Sequence, residues 1–240
     1  MLNKTDILDK IGLNGLIDFL YPPVCLCCGH FLENSRELIC AACFDGIDEL
    51  DFPFCSNCRQ FIENKAGCGD CDETAIPVFC LGHFTDELQK AIHSFKYHGF
   101  RKLSGELAGR LMNKFASNIS KVGADCIIPI PLHIMREKSR GFNQAALLAD
   151  IIGERIGIPV VTDVLFKVRR TRDQAKLDPE QRRKNIEGAF EVHDHSLKDK
   201  KVIIVDDVVT TGATVNEAAA TLRRAGARPV AVCAVAAAGF

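Results

Sequence analysis

An α/β fold with a parallel sheet flanked by helices, joined to a small cysteine-rich module on its N-terminal side, is predicted by three observations. From residue 76 onward, short β-branched runs alternate with amphipathic stretches at helical spacing. One of those runs, at 202–205, passes through two acids into a loop of small residues that opens a helix. Eight of the 12 cysteines lie between Cys25 and Cys71 in four C-x-x-C pairs.

The 240 residues are 47% hydrophobic and 25% charged, with a formal net charge of -1. That composition supports a real core and a medium domain plus a small module. It gives no bulk electrostatic reason for tight nucleic-acid or membrane binding. The longest apolar run, 230–240, is too short to span a bilayer. Residues 2–20 are interrupted by Asp6, Asp9 and Asp18 and carry no export-type cleavage site. A cytoplasmic, reducing compartment without membrane insertion is expected, and there clustered cysteines read as metal ligands.

The elements follow in order. Residues 7–20 form an apolar stripe ended by Pro22-Pro23, so 1–24 is expected as an N-terminal helix. The module spans 25–75, and the α/β domain 76–240. Helices are expected at 88–97, 103–116, 143–156 and 215–225, and strands at 126–130, 160–166, 201–205 and 230–235. Residues 167–184 lack an apolar period and read as an exposed loop.

Each C-x-x-C turn presents two thiolates on one side of a knuckle, and two knuckles complete a tetrahedral zinc site. The ligands are Cys25, Cys28, Cys40, Cys43, Cys55, Cys58, Cys68 and Cys71. Two sequential four-cysteine sites are the simplest pairing, and crossed ligation is the alternative. The role is structural, because four cysteines leave no open position. Cys27 is a spare thiol, Cys80, Cys126 and Cys233 are expected in the core, and His30 is expected on the surface.

The segment 201–226 carries the functional reading. Its strand delivers Asp206 and Asp207 at the end where open α/β sheets bind ligands. The loop Thr210-Thr211-Gly212-Ala213-Thr214 has nothing bulky to keep a phosphate from its amides and hydroxyls, and the helix N-terminus adds partial positive charge. The acids suit sugar hydroxyls and would repel the phosphate itself. No G-x-x-x-x-G-K-[ST] and no G-x-G-x-x-G occurs, which argues against a nucleotide triphosphatase or a dinucleotide enzyme.

VIIVDDVVTTGAT resembles the phosphoribosyl pyrophosphate signature of type I phosphoribosyltransferases. IPIPLHIMREKSRGFNQA at 128–145, RRTRDQAKLDPEQRRKNIEGAF at 169–190, HSFKYHG at 93–99 and the cysteine pairs resemble the ComF family, named for competence and DNA uptake. The resemblance implies a type I phosphoribosyltransferase fold with a double zinc ribbon. It also implies magnesium-bound phosphoribosyl pyrophosphate as ligand and phosphoribosyl transfer to an unknown acceptor. Asp206 and Asp207 would orient the ribose, residues 210–214 would hold the 5-phosphate, and the turn at Pro131 would face the diphosphate. Lys96, Arg140 and Arg170 are further candidates for phosphate contacts. The 167–184 segment, with eight basic residues against three acids, falls where the family has a mobile lid. Where some members of the wider fold carry a base-contacting carboxylate, this chain has Thr210, so no protein base is expected there. The acceptor-recognising hood is expected before residue 125. A second implied reading is a non-catalytic sensor of phosphoribosyl pyrophosphate or nucleotide that binds single-stranded DNA or a DNA-uptake helicase.

Overall fold

The computed structural model describes residues 22–34, 36–63, 68–72, 74–97, 99–171, 178–193 and 196–239. The helix expected at 7–20 lies outside them. Along the chain run α1 (Ala41–Asp45), β1 (Phe54–Cys55), β2 (Pro77–His83), α2 (Asp86–Tyr97), α3 (Leu103–Lys121), β3 (Cys126–Pro129), α4 (Ile134–Arg140), α5 (Gln144–Ile156), β4 (Leu165–Lys167), α6 (Pro179–Ile186), β5 (Phe190–Val192), β6 (Lys201–Val209), α7 (Ala213–Arg224) and β7 (Arg228–Ala237).

The main sheet has the order β1-β2-β7-β6-β3. Its four longer strands are parallel, and β1 adds to the edge in antiparallel sense. Parallel strands need helical crossovers, and both sheet faces are therefore covered. Ile203 and Val205 of β6 point to one face, with Phe95 of α2, Leu111 of α3 and Leu148 of α5. Val202 and Ile204 point to the other, with Val215, Ala218 and Leu222 of α7 and Leu165 of β4. The result is three layers about a sheet whose interior strand β6 is buried at 202–205.

Strand alternation then decides where the acids go. Successive side chains leave a strand on opposite faces. Asp207 follows Val205 toward α2, and Asp206 follows Ile204 toward β4. They straddle the sheet where β6 leaves the core.

Two expectations are corrected. The apolar run at 160–166 does not form one strand: Val160 makes a single parallel bridge to Ile127, and only Leu165–Lys167 is a strand, paired with β5 in a separate hairpin. The segment 167–184 is not all loop, because Pro179–Ile186 is helical. A capping box starts that helix: Asp178 accepts from the amide of Gln181, whose side chain accepts from the amide of Asp178, with Pro179 opening the first turn. The capping residues specify this helix, and its apolar periodicity is too weak to announce it.

Candidate phosphoribosyl site and metal centres

The cysteines gather in two sequential sets, Cys25/Cys28/Cys40/Cys43 and Cys55/Cys58/Cys68/Cys71, with the four sulfurs of each set within 4.8 Å of one another. Sulfur separations of 3.7 Å for Cys28–Cys40, 3.7 Å for Cys55–Cys71 and 3.4 Å for Cys58–Cys68 approach the ~3.8 Å edge of a tetrahedron with ~2.3 Å zinc–sulfur bonds. Backbone amides support the thiolates. Cys25 Sγ accepts from Cys27 N and Cys40 N at 3.4 and 3.3 Å, and Cys55 Sγ accepts from Asn57 N at 3.4 Å. Burial works against the Cys25 anion, but the amides of Cys40, Cys28 and Cys27 outweigh it and bring that thiol down to about 6. The residues fit structural zinc, and crossed ligation is not what the fold builds. His30 is exposed, with its Nδ1 3.3 Å from Cys28 Sγ. Cys27 is buried and donates to the Glu87 carbonyl at 3.5 Å, and Cys80, Cys126 and Cys233 are core residues.

The second centre lies against the small-residue loop. Gly212 caps α7 with φ 77°, and a β-carbon there would sit 2.3 Å from the carbonyl oxygen of Ser56, inside the Cys55–Cys58 knuckle. One turn into α7, Asn216 Nδ2 donates to the same carbonyl at 3.0 Å. Ser56 is buried and clamped from behind, its amide donating to Ile76 O and its Oγ accepting from Ile76 N. The knuckle is thus the back wall of the loop. Thr210, Thr211 and Thr214 stay half-buried, while Gly212 and Ala213 are buried.

Asp206, Asp207, Thr210, Thr214, Pro131, Lys96 and Arg140 converge on one cleft of ≈ 260 Å³. Thr211 and Ala213 line a neighbouring cleft of ≈ 1020 Å³ that reaches Arg59 of the knuckle and Arg182, Arg183 and Lys184 of α6. Arg170 lines a third, of ≈ 290 Å³, beside Arg136 and Lys167, and no acid lies among its described lining residues. Lys96 Nζ is 3.0 Å from Asp207 Oδ2, so this lysine meets the acid pair rather than the loop. Arg140 donates to Gln144 Oε1 at 2.6 Å and lies over the Tyr97 ring.

The R-G-F-N-Q string has a mechanical role. Gly141, at φ 80°, ends α4 in the left-handed conformation, and Phe142 is buried against Phe95. Asn143 caps α5 through Oδ1, which accepts from Ala145 N at 3.0 Å, while its Nδ2 donates to Ile130 O at 3.0 Å. The N-terminus of α5 is thereby pinned to the turn that carries Pro131.

Sequence reasoning missed Ser56, Arg136, Gln144 and Asn216, and counted Lys167 only among the basic residues of the 167–184 segment. Only Arg136 and Gln144 carried a signal, as polar residues inside the 128–145 motif.

Burial and then the charge of Asp207 push the Asp206 carboxyl from 3.8 to about 7. Burial also lowers the Lys167 ammonium, with Asp206 acting in its favour and Arg136 against it. Between pH ~4 and ~7 the folded protein therefore holds a proton that the unfolded chain has released, and its stability falls as pH rises through that window. Denaturant unfolding at pH 5 and 7.5 checks this. Asp206→Asn is expected to flatten the decline and to be more stable than wild type at pH 7.5 by roughly 2 kcal/mol. An equal decline in both proteins would contradict the assignment.

A parallel sheet whose acid-bearing interior strand feeds a threonine-rich helix start defines a phosphoribosyltransferase-type domain. Residues 106–239 match the family model of the phosphoribosyl transferase domain, and residues 16–72 match that of the double zinc ribbon domain. The chain belongs to the ComF family of competence and DNA-utilisation proteins. It is 30% identical to Competence protein F of Haemophilus influenzae, over 87% of this chain and 94% of that one. It is 29% identical to Competence protein ComFC of Bacillus subtilis, over 82% of each. It is 28% identical to DNA utilization protein YhgH of Escherichia coli, over 88% of this chain and 95% of that one.

Proposed function

We propose that the protein binds magnesium phosphoribosyl pyrophosphate and transfers its phosphoribosyl group to an acceptor, in a cytoplasmic compartment. The observation that carries this reading is the meeting of Asp206 and Asp207 with Thr210 and Thr214, the two ends of the small-residue turn, in a single cleft. In this reading the turn and the amides opening α7 hold the 5-phosphate. Asp207 accepts from one ribose hydroxyl and Asp206 from its neighbour once ionised. The diphosphate lies against the Pro131 turn, facing Arg136 and Lys167, with Arg170 at the outer edge. As the bond from C1 to the diphosphate oxygen breaks, negative charge grows on that oxygen and positive charge on the ribose ring. The basic wall favours the first, and Asp206 and Asp207 favour the second. Magnesium, when bound, neutralises diphosphate charge. Asp206 and Asp207 are the acids among the described lining residues, and their hard oxygen donors suit that ion. Thr210 offers no base to the acceptor.

We also propose a division into a ribbon module at 25–75 and a transferase domain at 76–240. No helix among the described residues is long and apolar enough to cross a membrane.

Pyrophosphate release from the magnesium complex, assayed with a panel of nucleobases and amines, tests the transferase. Turnover with at least one acceptor, abolished in Asp206→Asn/Asp207→Asn, is expected. The larger cleft favours a second reading, since Arg59, Arg182, Arg183 and Lys184 line it against Glu180, Glu187 and Glu217. Ligand binding without turnover, together with salt-sensitive binding of single-stranded DNA or capture of a helicase-type partner, would select the sensor instead.

A further inference from the structure

We infer that the second zinc centre and the phosphate loop are coupled: a sugar phosphate held at residues 210–214 keeps zinc on Cys55, Cys58, Cys68 and Cys71, and loss of that zinc loosens the loop. The inference takes from the phosphoribosyl reading only what the loop holds, and the coupling itself rests on the geometry.

The two ribbons repeat one turn in different surroundings. P-V-C-L-C-C-G-H-F-L at 23–32 and P-F-C-S-N-C-R-Q-F-I at 53–62 share their proline, their cysteine pair and their phenylalanine. Their hydrogen bonds repeat as well. Cys25 N donates to His30 O at 2.8 Å, and Cys55 N to Gln60 O at 2.9 Å. Gly29 N donates to Cys25 O at 2.9 Å, and Arg59 N to Cys55 O at 3.0 Å. The first ribbon packs on the sheet face that carries α2 and α3, where Leu38 N donates to Glu106 Oε1 at 2.8 Å. The second packs on the opposite face, where Phe54 joins Val215 and Leu222 of α7. Among the described residues, none of the first knuckle lines either cleft at the loop, whereas Asn57 and Arg59 of the second line the larger one.

The second turn meets the transferase domain where the repeats differ. Ser56 stands in place of Leu26, and its carbonyl lies against Gly212 and accepts from Asn216 Nδ2 at 3.0 Å. Helix α7 holds the ribbon again at its far end, where Arg223 Nη2 donates to Thr74 O at 2.7 Å, three residues past Cys71. The loop and the helix that follows it are therefore seated on one metal knuckle and not on the other. Small metal modules take their fold from the bound ion. Without it the Ser56 carbonyl loses its fixed place, and Gly212 and Asn216 lose the surface that sets the direction of the loop's amides. Coupling between two sites is reciprocal, so a ligand that fixes the loop must also strengthen zinc at the second set and leave the first as it was.

Chelator challenge of the zinc-loaded full chain tests this. Zinc release to a chromogenic chelator is followed with and without ribose 5-phosphate, and alkylation of the freed cysteines, located by mass spectrometry, shows which centre has opened. Ribose 5-phosphate is expected to slow alkylation of Cys58 and Cys68 by about tenfold or more, with Cys28 and Cys40 unchanged. Asn216→Ala provides an arm that needs no ligand: it should lose the second zinc roughly fivefold faster than wild type and the first at the wild-type rate. Equal protection of both sets would mean that the ligand only stabilises the whole fold. No protection by a sugar phosphate that calorimetry shows to be bound would mean that loop and zinc are independent. Either result overturns the coupling. If ribose 5-phosphate does not bind, the sugar-phosphate reading falls and Asn216→Ala decides alone. Faster loss from the second set only then sustains the coupling, and an unchanged rate or equal loss from both sets removes it.

Discussion

Asp207→Ala is expected to weaken binding of magnesium phosphoribosyl pyrophosphate by about a hundredfold or more, read by calorimetry. The side chain accepts a charge-assisted hydrogen bond from a ribose hydroxyl in the proposed complex, and such bonds are worth roughly 1.5–3 kcal/mol each. The substitution also strips Lys96 of its 3.0 Å partner. An ammonium left without its acid moves toward the nearest anion or toward water, which withdraws it from the ribose side of the cleft. Inorganic pyrophosphate serves as the contrasting probe. It has no hydroxyls for Asp207 to hold, and removing a carboxylate lowers repulsion, so its affinity should be equal or higher in the variant. A parallel loss for both ligands would mean that Asp207 acts only through the fold. Equal affinity for phosphoribosyl pyrophosphate in variant and wild type would remove the twin acids from the site.

Gly212→Ala is the second large effect. Two independent costs meet at this position. A φ of 77° is left-handed and costs a residue with a β-carbon roughly 1–2 kcal/mol. The added carbon would also stand 2.3 Å from the Ser56 carbonyl oxygen, a backbone atom that cannot swing aside. Ser56 is held by both of its bonds to Ile76 and by the cysteines on either side of it. Either the knuckle or the start of α7 must shift, and the combined loss should be about 3–5 kcal/mol. Thermal melts of the zinc-loaded protein should show a clear fall in midpoint. Asn216→Ala, which removes one hydrogen bond to the same carbonyl without forcing anything apart, should cost only ~1 kcal/mol. A Gly212→Ala protein that melts with the wild type would show that the contact between the knuckle and the loop is loose.

The segment 201–226 was legible because its information is local. A β-branched run, two acids, small residues and a helix all act on neighbours in the chain, and the structure extends the strand two residues past the acids, to Val209. The cysteine spacing was legible for the same reason, although nothing in it separated sequential from crossed ligation. What escaped was set at long range. The contact of Ser56 with Asn216 spans 160 residues. The pairing of Lys96 with Asp207 depends on α2 packing across the sheet, so a lysine expected to meet phosphate meets an acid instead. Strand β2 carries no alternation because its residues 78–82 are buried on both faces, and a run of that kind does not announce its state. The β4–β5 hairpin has three residues a side and closes around a segment whose charge suggested loop.

Strand β1 bears on how this molecule can be divided. Phe54 and Cys55 close the free side of β2, with Phe54 wholly buried. A chain cut ahead of Pro77 would bare a row of unpaired peptide groups on an apolar edge strand, the surface on which sheets join edge to edge and aggregate. It would also take away the carbonyl that Gly212 rests on. The ribbon is therefore a fixed end-piece of the sheet. An excised transferase half would report the behaviour of an exposed edge, and the ligand chemistry of this chain has to be measured on the undivided protein.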